Sequence, residues 1–152
     1  MSTPHPEHTA ATWSSVFERK GGPGAHTRLW GDFPPATRQQ SLERAGLDPG
    51  EIPVLAGLPP GGSGFILTSH RVIFFAGSRT VVVATGDVLR AEPAELHGNR
   101  GWRRLSPDWD TFQFTLRDGS EHFVKVEPGP PFIGVWNVLR NLMARNRRSE
   151  KG

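Results

Sequence analysis

Arginine and tryptophan alternate at Arg100, Trp102, Arg103, Arg104 and Trp109. Guanidinium planes interleaved with indole faces can stack a nucleobase or clamp a phosphate. The same residues have a plainer use, in which both indoles pack beneath a long loop and the arginine stems cover them. That reading is preferred, because amphipathic side chains routinely cover apolar surface in this way. A second basic group, Arg145, Arg147 and Arg148, follows near the C-terminus. It can touch anionic lipid or nucleic acid, or it can simply complement the dipole at a helix end.

Other chemistry finds less support. The histidines His5, His8, His26, His70, His97 and His122 show no HExxH spacing, and without cysteine any metal would need His and carboxylate ligands alone. No metal or cofactor is expected. Ser63 stands in GGSG rather than in a G-x-S-x-G elbow, and Asp108 and Asp110 flank Trp109 in a segment that reads as a loop, where turn and capping roles prevail. The glycine-rich stretches GGPGAHT (21–27) and PPGGSG (59–64) do not lead into a helix N-terminus, as a phosphate cradle requires, and read as flexible turns. The chain is therefore expected not to be an enzyme.

These residues must be positioned by a single domain, because 152 residues leave no room for a second core of normal size. Residues 1–50 contain six of the Leu, Ile, Val and Phe residues and 51–139 contain 29, so the core belongs to the second segment. The formal charge is +3, yet residues 140–152 carry five basic side chains against Glu150, which leaves the rest of the chain close to neutral. A basic tail on a neutral body argues against a protein coated all over with nucleic acid. With neither disulfides nor an apolar export segment, the expected compartment is cytoplasmic, with no transmembrane segment.

Trp13, Val16 and Phe17 at helical spacing predict a helix over 9–20, stopped by Gly21 and Gly22, after a disordered head of residues 1–8. Residues 25–34 read as a loop anchored by Leu29, Trp30 and Phe33. A second helix over 36–45 ends at Gly46. From Ile52 the period becomes that of strands: 52–56, 65–68, 72–75, 80–84 and 88–96, with Pro93 marking an edge or a bulge. A connection over 97–110 includes 102–105 as a further strand candidate. Phe112, Phe114 and Leu116 then alternate with polar residues, Asp118-Gly119 signals a type I′ turn, and 122–126 returns with Phe123 and Val124 on opposite faces. Apolar residues from Phe132 to Met143 at spacings of three and four predict a final helix of about fifteen residues. Short antiparallel strands followed by one helix imply a bent sheet or small barrel closed by that helix.

The segment GFILTSHRVIFFAG followed by TVVVATGDV resembles bacterial pleckstrin-homology-like (PH-like) and GRAM-like domains. Leu67, Thr68, Arg71, Val72, Ile73 and Phe74 stand at the matching positions, then Asp87 and Val88, and His70 and Arg71 form the polar turn of the motif. The later TFQFTLRDGSEHFVKV and the helix containing Trp136 sit where the family places its last hairpin and terminal helix. The resemblance covers residues 51–145. It implies a mainly β, PH-like barrel over 51–147, with 1–50 as an added helical segment packing on it and 148–152 as a basic tail. The loop LPPGGSG (58–64) carries no charge where phosphoinositide-binding members carry basic residues, so headgroup recognition is not implied there.

The functional expectation is an interaction module that binds a protein segment or self-associates, with a protein partner or homo-oligomer as its ligand. The alternative is an anionic-ligand binder, for nucleic acid or a membrane surface, using the Arg/Trp loop and the basic tail.

Overall fold

A computed structural model describes residues 5–94 and 109–151. Helix α1 spans Pro6–Lys20 and starts earlier than its apolar spacing indicates, because Pro6 and Glu7 suit a first helical turn. Residues 6–8, expected within a disordered head, are therefore helical. Thr9, Trp13 and Phe17, four apart, are its buried stripe.

Strand β1 (Thr27–Leu29) and a 3-10 turn (Trp30–Asp32) occupy the segment expected to be a loop. Three residues are too few for alternation to show in a sequence. Helix α2 (Pro35–Ala45) ends as expected at Gly46, whose left-handed φ of 64° lets its N–H bond to the Leu42 carbonyl.

Strands β2 (Pro53–Gly57), β3 (Gly64–Thr68), β4 (Arg71–Ala76) and β5 (Arg79–Ala84) join β1 in one antiparallel sheet of order β1-β2-β3-β4-β5. Strands β6 (Val88–Pro93), β7 (Thr111–Leu116) and β8 (Glu121–Lys125) form a second, of order β6-β7-β8. Pro93 lies on the edge strand β6, which also carries a register irregularity between Val88 and Arg90. The 111–125 hairpin keeps the expected facing, with Phe112 opposite Val124 and Gln113 opposite Phe123. Its turn differs from expectation: no described residue other than glycine has a positive φ, so Asp118 cannot enter a type I′ turn. Gly119 N–H bonds to Leu116 O and Leu116 N–H to Ser120 O, a three-residue loop in which Gly119 alone (φ 89°) takes the left-handed position. Asp118 instead accepts from the Ser120 backbone and hydroxyl.

The two sheets face each other across one core. Leu55, Phe65, Leu67, Val72 and Phe74 of the first meet Phe112, Phe114 and Val124 of the second, and the final helix α3 (Pro130–Lys151) inserts Phe132, Val135, Leu139 and Leu142. Phe132 stacks on Phe112 with centroids 4.2 Å apart. The opposite face of the first sheet buries Ala56, Ile66, Ile73 and Phe75 under Phe33 and Ala45. At 22 residues α3 exceeds the expected length, and 148–150, set apart in the sequence as a tail, are part of its last turns.

The described strands do not close into a barrel. No ladder joins β5 to β6 or β8 to β1 among the described residues; side chains hold both corners. Asn146 of α3 donates to the carbonyls of Thr85 (2.9 Å) and Val88 (2.8 Å) at one. Glu127 holds the other by accepting from the N–H groups of Ala25, His26 and Thr27 at 2.7, 2.9 and 3.0 Å.

Residues 1–50 are more than a cover on the sheet. Trp13 and Phe17 are fully buried in the central core, and Trp13 Nε1 donates to Asn141 Oδ1 at 3.0 Å. Helix α1 reaches α3 through two glycines. A Cβ on Gly21 would lie 2.2 Å from the Pro130 carbonyl oxygen, and one on Gly134 would lie 2.8 Å from the Phe17 ring. An exposed helical Gly→Ala change stabilises by about 1 kcal/mol. Here Gly134→Ala is expected to destabilise instead, and Gly21→Ala more so because backbone cannot yield, by about 2 kcal/mol in urea unfolding.

Candidate functional site

A cleft of about 520 Å³ opens between the sheets beside β8. Phe65, Phe74 and Val124 line its interior, and Ser63, His26, Asp110 and Lys125 are among its polar lining. Two glycines allow its β2–β3 wall. A Cβ on Gly57 would meet the Phe65 ring at 2.6 Å, while Gly64, at φ 146°, brings its backbone so near that a Cβ would lie 2.3 Å from the Gly57 carbonyl oxygen.

The hydrogen-bond alternation of β8 determines what it offers to this space. Leu116 N–H bonds to Ser120 O and Val126 N–H to Asp110 O, so the even-numbered residues of β8 direct their backbone groups to β7. Glu121, Phe123 and Lys125 therefore direct theirs to the other side, where no strand pairs among the described residues. Phe123 is 63% exposed, more than any other large apolar side chain described. The sequence signal was its facing: with Val124 turned inward, an outward Phe123 is the one apolar residue on a polar strand face.

The nest beside the cleft carries an anion already. Three consecutive N–H groups at 25–27 converge as in a phosphate loop, but the anion they hold is Glu127. The stretch expected to be a flexible turn is thus fixed, and Gly24 is required there, since a Cβ would come within 2.5 Å of the Glu127 carboxylate. Burial pushes the Glu127 carboxyl up, yet its backbone donors outweigh burial and hold it below the ordinary range.

His70 lies in the β3–β4 turn and Arg71 begins β4, where it is not free to take a ligand. Its Nε and Nη2 bind Glu51 at 2.9 and 2.7 Å, with the Glu51 side chain only 1% exposed. Thr68 Oγ1 and the Asp48 N–H also donate to that carboxylate. Burial raises the Glu51 carboxyl, and Arg71, Thr68 and Asp48 together bring it below its ordinary value. Sequence reasoning missed both glutamates, because an isolated carboxylate shows no local pattern when its partners lie far along the chain.

Ser69 Oγ approaches His70 Nδ1 at 2.8 Å, but Ser69 is buried and its hydroxyl also accepts from Ile52 N–H at 3.0 Å. That hydroxyl ties the β3–β4 turn to the residue before β2. Among the described residues no cluster of three or more His, Asp or Glu side chains is placed to hold a metal ion.

Arg100, Trp102, Arg103 and Arg104 lie outside the described residues. Trp109 is half-buried against the central core. Arg145 is committed to helix docking: its Nη1 donates to Thr9 Oγ1 at 3.1 Å and its guanidinium lies 5.1 Å from the Trp13 ring centroid. Only Arg147 and Arg148 of that group are exposed. Among the described residues no helix is long and apolar enough to cross a membrane.

No protein-family model and no curated protein matches the sequence.

Arg71→Met leaves Glu51 buried without its cation and is expected to cost about 3 kcal/mol at neutral pH. The deficit should shrink in mild acid, where the stranded carboxyl protonates. In the native protein both Glu51 and Glu127 have lowered values, so their contribution is complete above the ordinary 4.5 and is lost as pH falls below it. Urea midpoints against pH should therefore fall on the acid side of 4.5, less steeply in Glu127→Ala, which is also expected to lose about 2 kcal/mol at neutral pH.

Proposed function

We propose that this chain is a non-enzymatic, PH-like interaction module that binds protein by accepting a strand along β8. The observation that carries this reading is a strand edge, unpaired among the described residues, that borders an apolar cleft, with Phe123 63% exposed upon it. In support of the PH-like part of this reading, the 111–125 hairpin and a terminal helix follow the earlier antiparallel strands in the order that the sequence resemblance implies.

An added strand would bond to the outward N–H and C=O groups of Glu121, Phe123 and Lys125, which supply affinity without regard to sequence. Selectivity would come from alternate side chains of the incoming segment, those on the core side turned toward the cleft and those on the other covering Phe123. Two of the cleft's carboxylates already have partners, Glu127 in the 25–27 nest and Asp110 with Lys125 at 3.8 Å, which favours this use over chemistry.

Selection from a display library of random linear peptides tests the reading. Peptides with alternating apolar residues should be enriched and should persist at high salt. Phe123→Ala should weaken them by about 10- to 100-fold, the effect of leaving one large apolar side chain uncovered. Enrichment of acidic peptides that dissociate in salt and ignore Phe123→Ala would contradict it.

A further inference from the structure

We infer that the strand β8 accepts is β8 of a second copy of this chain, antiparallel and centred on Phe123. The inference rests on the strand-addition reading above and names its partner.

The backbone permits this pairing. Phe123 is one of the residues whose N–H and C=O point away from β7, so two copies related by a two-fold axis at Phe123 exchange two N–H···O bonds directly across that axis. The three-stranded sheets of both copies would then run on as six strands.

The side chains fix the register. In an antiparallel pair centred on position 123, each residue faces the one equally far on the other side of it. Glu121 then stands opposite the partner's Lys125, and Lys125 opposite the partner's Glu121. Phe123 meets the partner's Phe123, so each copy covers the most exposed apolar ring described. The Lys125 side chain is 81% exposed, and its contact among the described residues is a long one, 3.8 Å to Asp110. A slip by two residues sets Lys125 against the partner's Phe123 and loses both charge pairs.

The other unpaired edges lack this symmetry. Strand β5 exposes Val82 (46%), but its outward residues Thr80, Val82 and Ala84 carry no charges to set a register. Strand β1 has three residues, and β6 is irregular at Val88/Arg90.

Light-scattering mass measurement across a dilution series of the full chain tests the inference. The expected result is a species of twice 16.7 kDa that dissociates on dilution. Phe123→Pro removes the outward N–H and spares the β7 ladder, so it should leave a folded chain of single mass. Glu121→Lys and Lys125→Glu should each weaken association at least about tenfold, since each sets like charges opposite one another twice. Mixed together, those two variants place Lys opposite Glu at both positions and should recover the double mass. Circular dichroism and thermal unfolding of each variant establish that it is folded.

A wild type of single mass throughout would overturn the inference, as would a double mass indifferent to Phe123→Pro or a mixture that fails to recover. Library peptides measured against Phe123→Pro separate the two levels. If the chain is monomeric and such peptides still bind in a Phe123→Pro-sensitive manner, strand addition stands and only the second copy is wrong.

Discussion

The carboxylate of Glu127 stands where a closed barrel would have a ladder. By collecting the N–H groups of Ala25, His26 and Thr27, it joins the end of β8 to the start of β1 with one side chain, and the two sheets meet at that corner without merging. Everything at the open side depends on this substitution. A continuous ladder across the corner would consume the free edge of β8 and fill the space over Phe65 and Phe74. A point contact fixes the spacing of the sheets and leaves the edge unpaired. The nest requires backbone in a particular shape, which Gly24 allows and which α1, docked through Gly21 on α3, delivers to the right place.

The N-terminal segment is for this reason integral to the frame. Trp13 and Phe17 enter the same core as the strands, β1 extends the first sheet, and Arg145 is drawn to α1 and away from solvent. A residue that looks like a ligand contact in a basic run thus serves as a structural cation. Arg71 shows the same diversion, because burying Glu51 without it would strand a charge in the interior. In both cases the desolvation of one group settles the role of another.

Legibility in the sequence followed the range of the interaction. The 111–125 hairpin, the stop of α2 at Gly46, the edge character of Pro93 and the amphipathic α3 were all readable, because each rests on periodicity or on a local backbone preference. Strand β1 was not, since three residues cannot display a period and only pairing with β2 makes them a strand. The Asp118 turn misled because the Asp-Gly signal holds only while Asp118 takes a positive φ, and its carboxylate favours Ser120 instead. Of the site, the outward facing of Phe123 could be read from alternation with Val124. The cleft could not, because its walls come from segments about 60 residues apart that only the completed fold brings together.

Amide hydrogen exchange along β8, resolved residue by residue over a range of protein concentrations, tests the central claim of a usable free edge most directly. His122, Val124 and Val126 should be protected at every concentration, while Glu121, Phe123 and Lys125 should exchange rapidly in dilute solution and become protected as concentration rises. Protection of all six at every dilution would mean that the chain covers its own edge and would contradict the free edge itself, whereas rapid exchange of the odd-numbered three at every concentration would leave the edge free and remove only its pairing with a second copy.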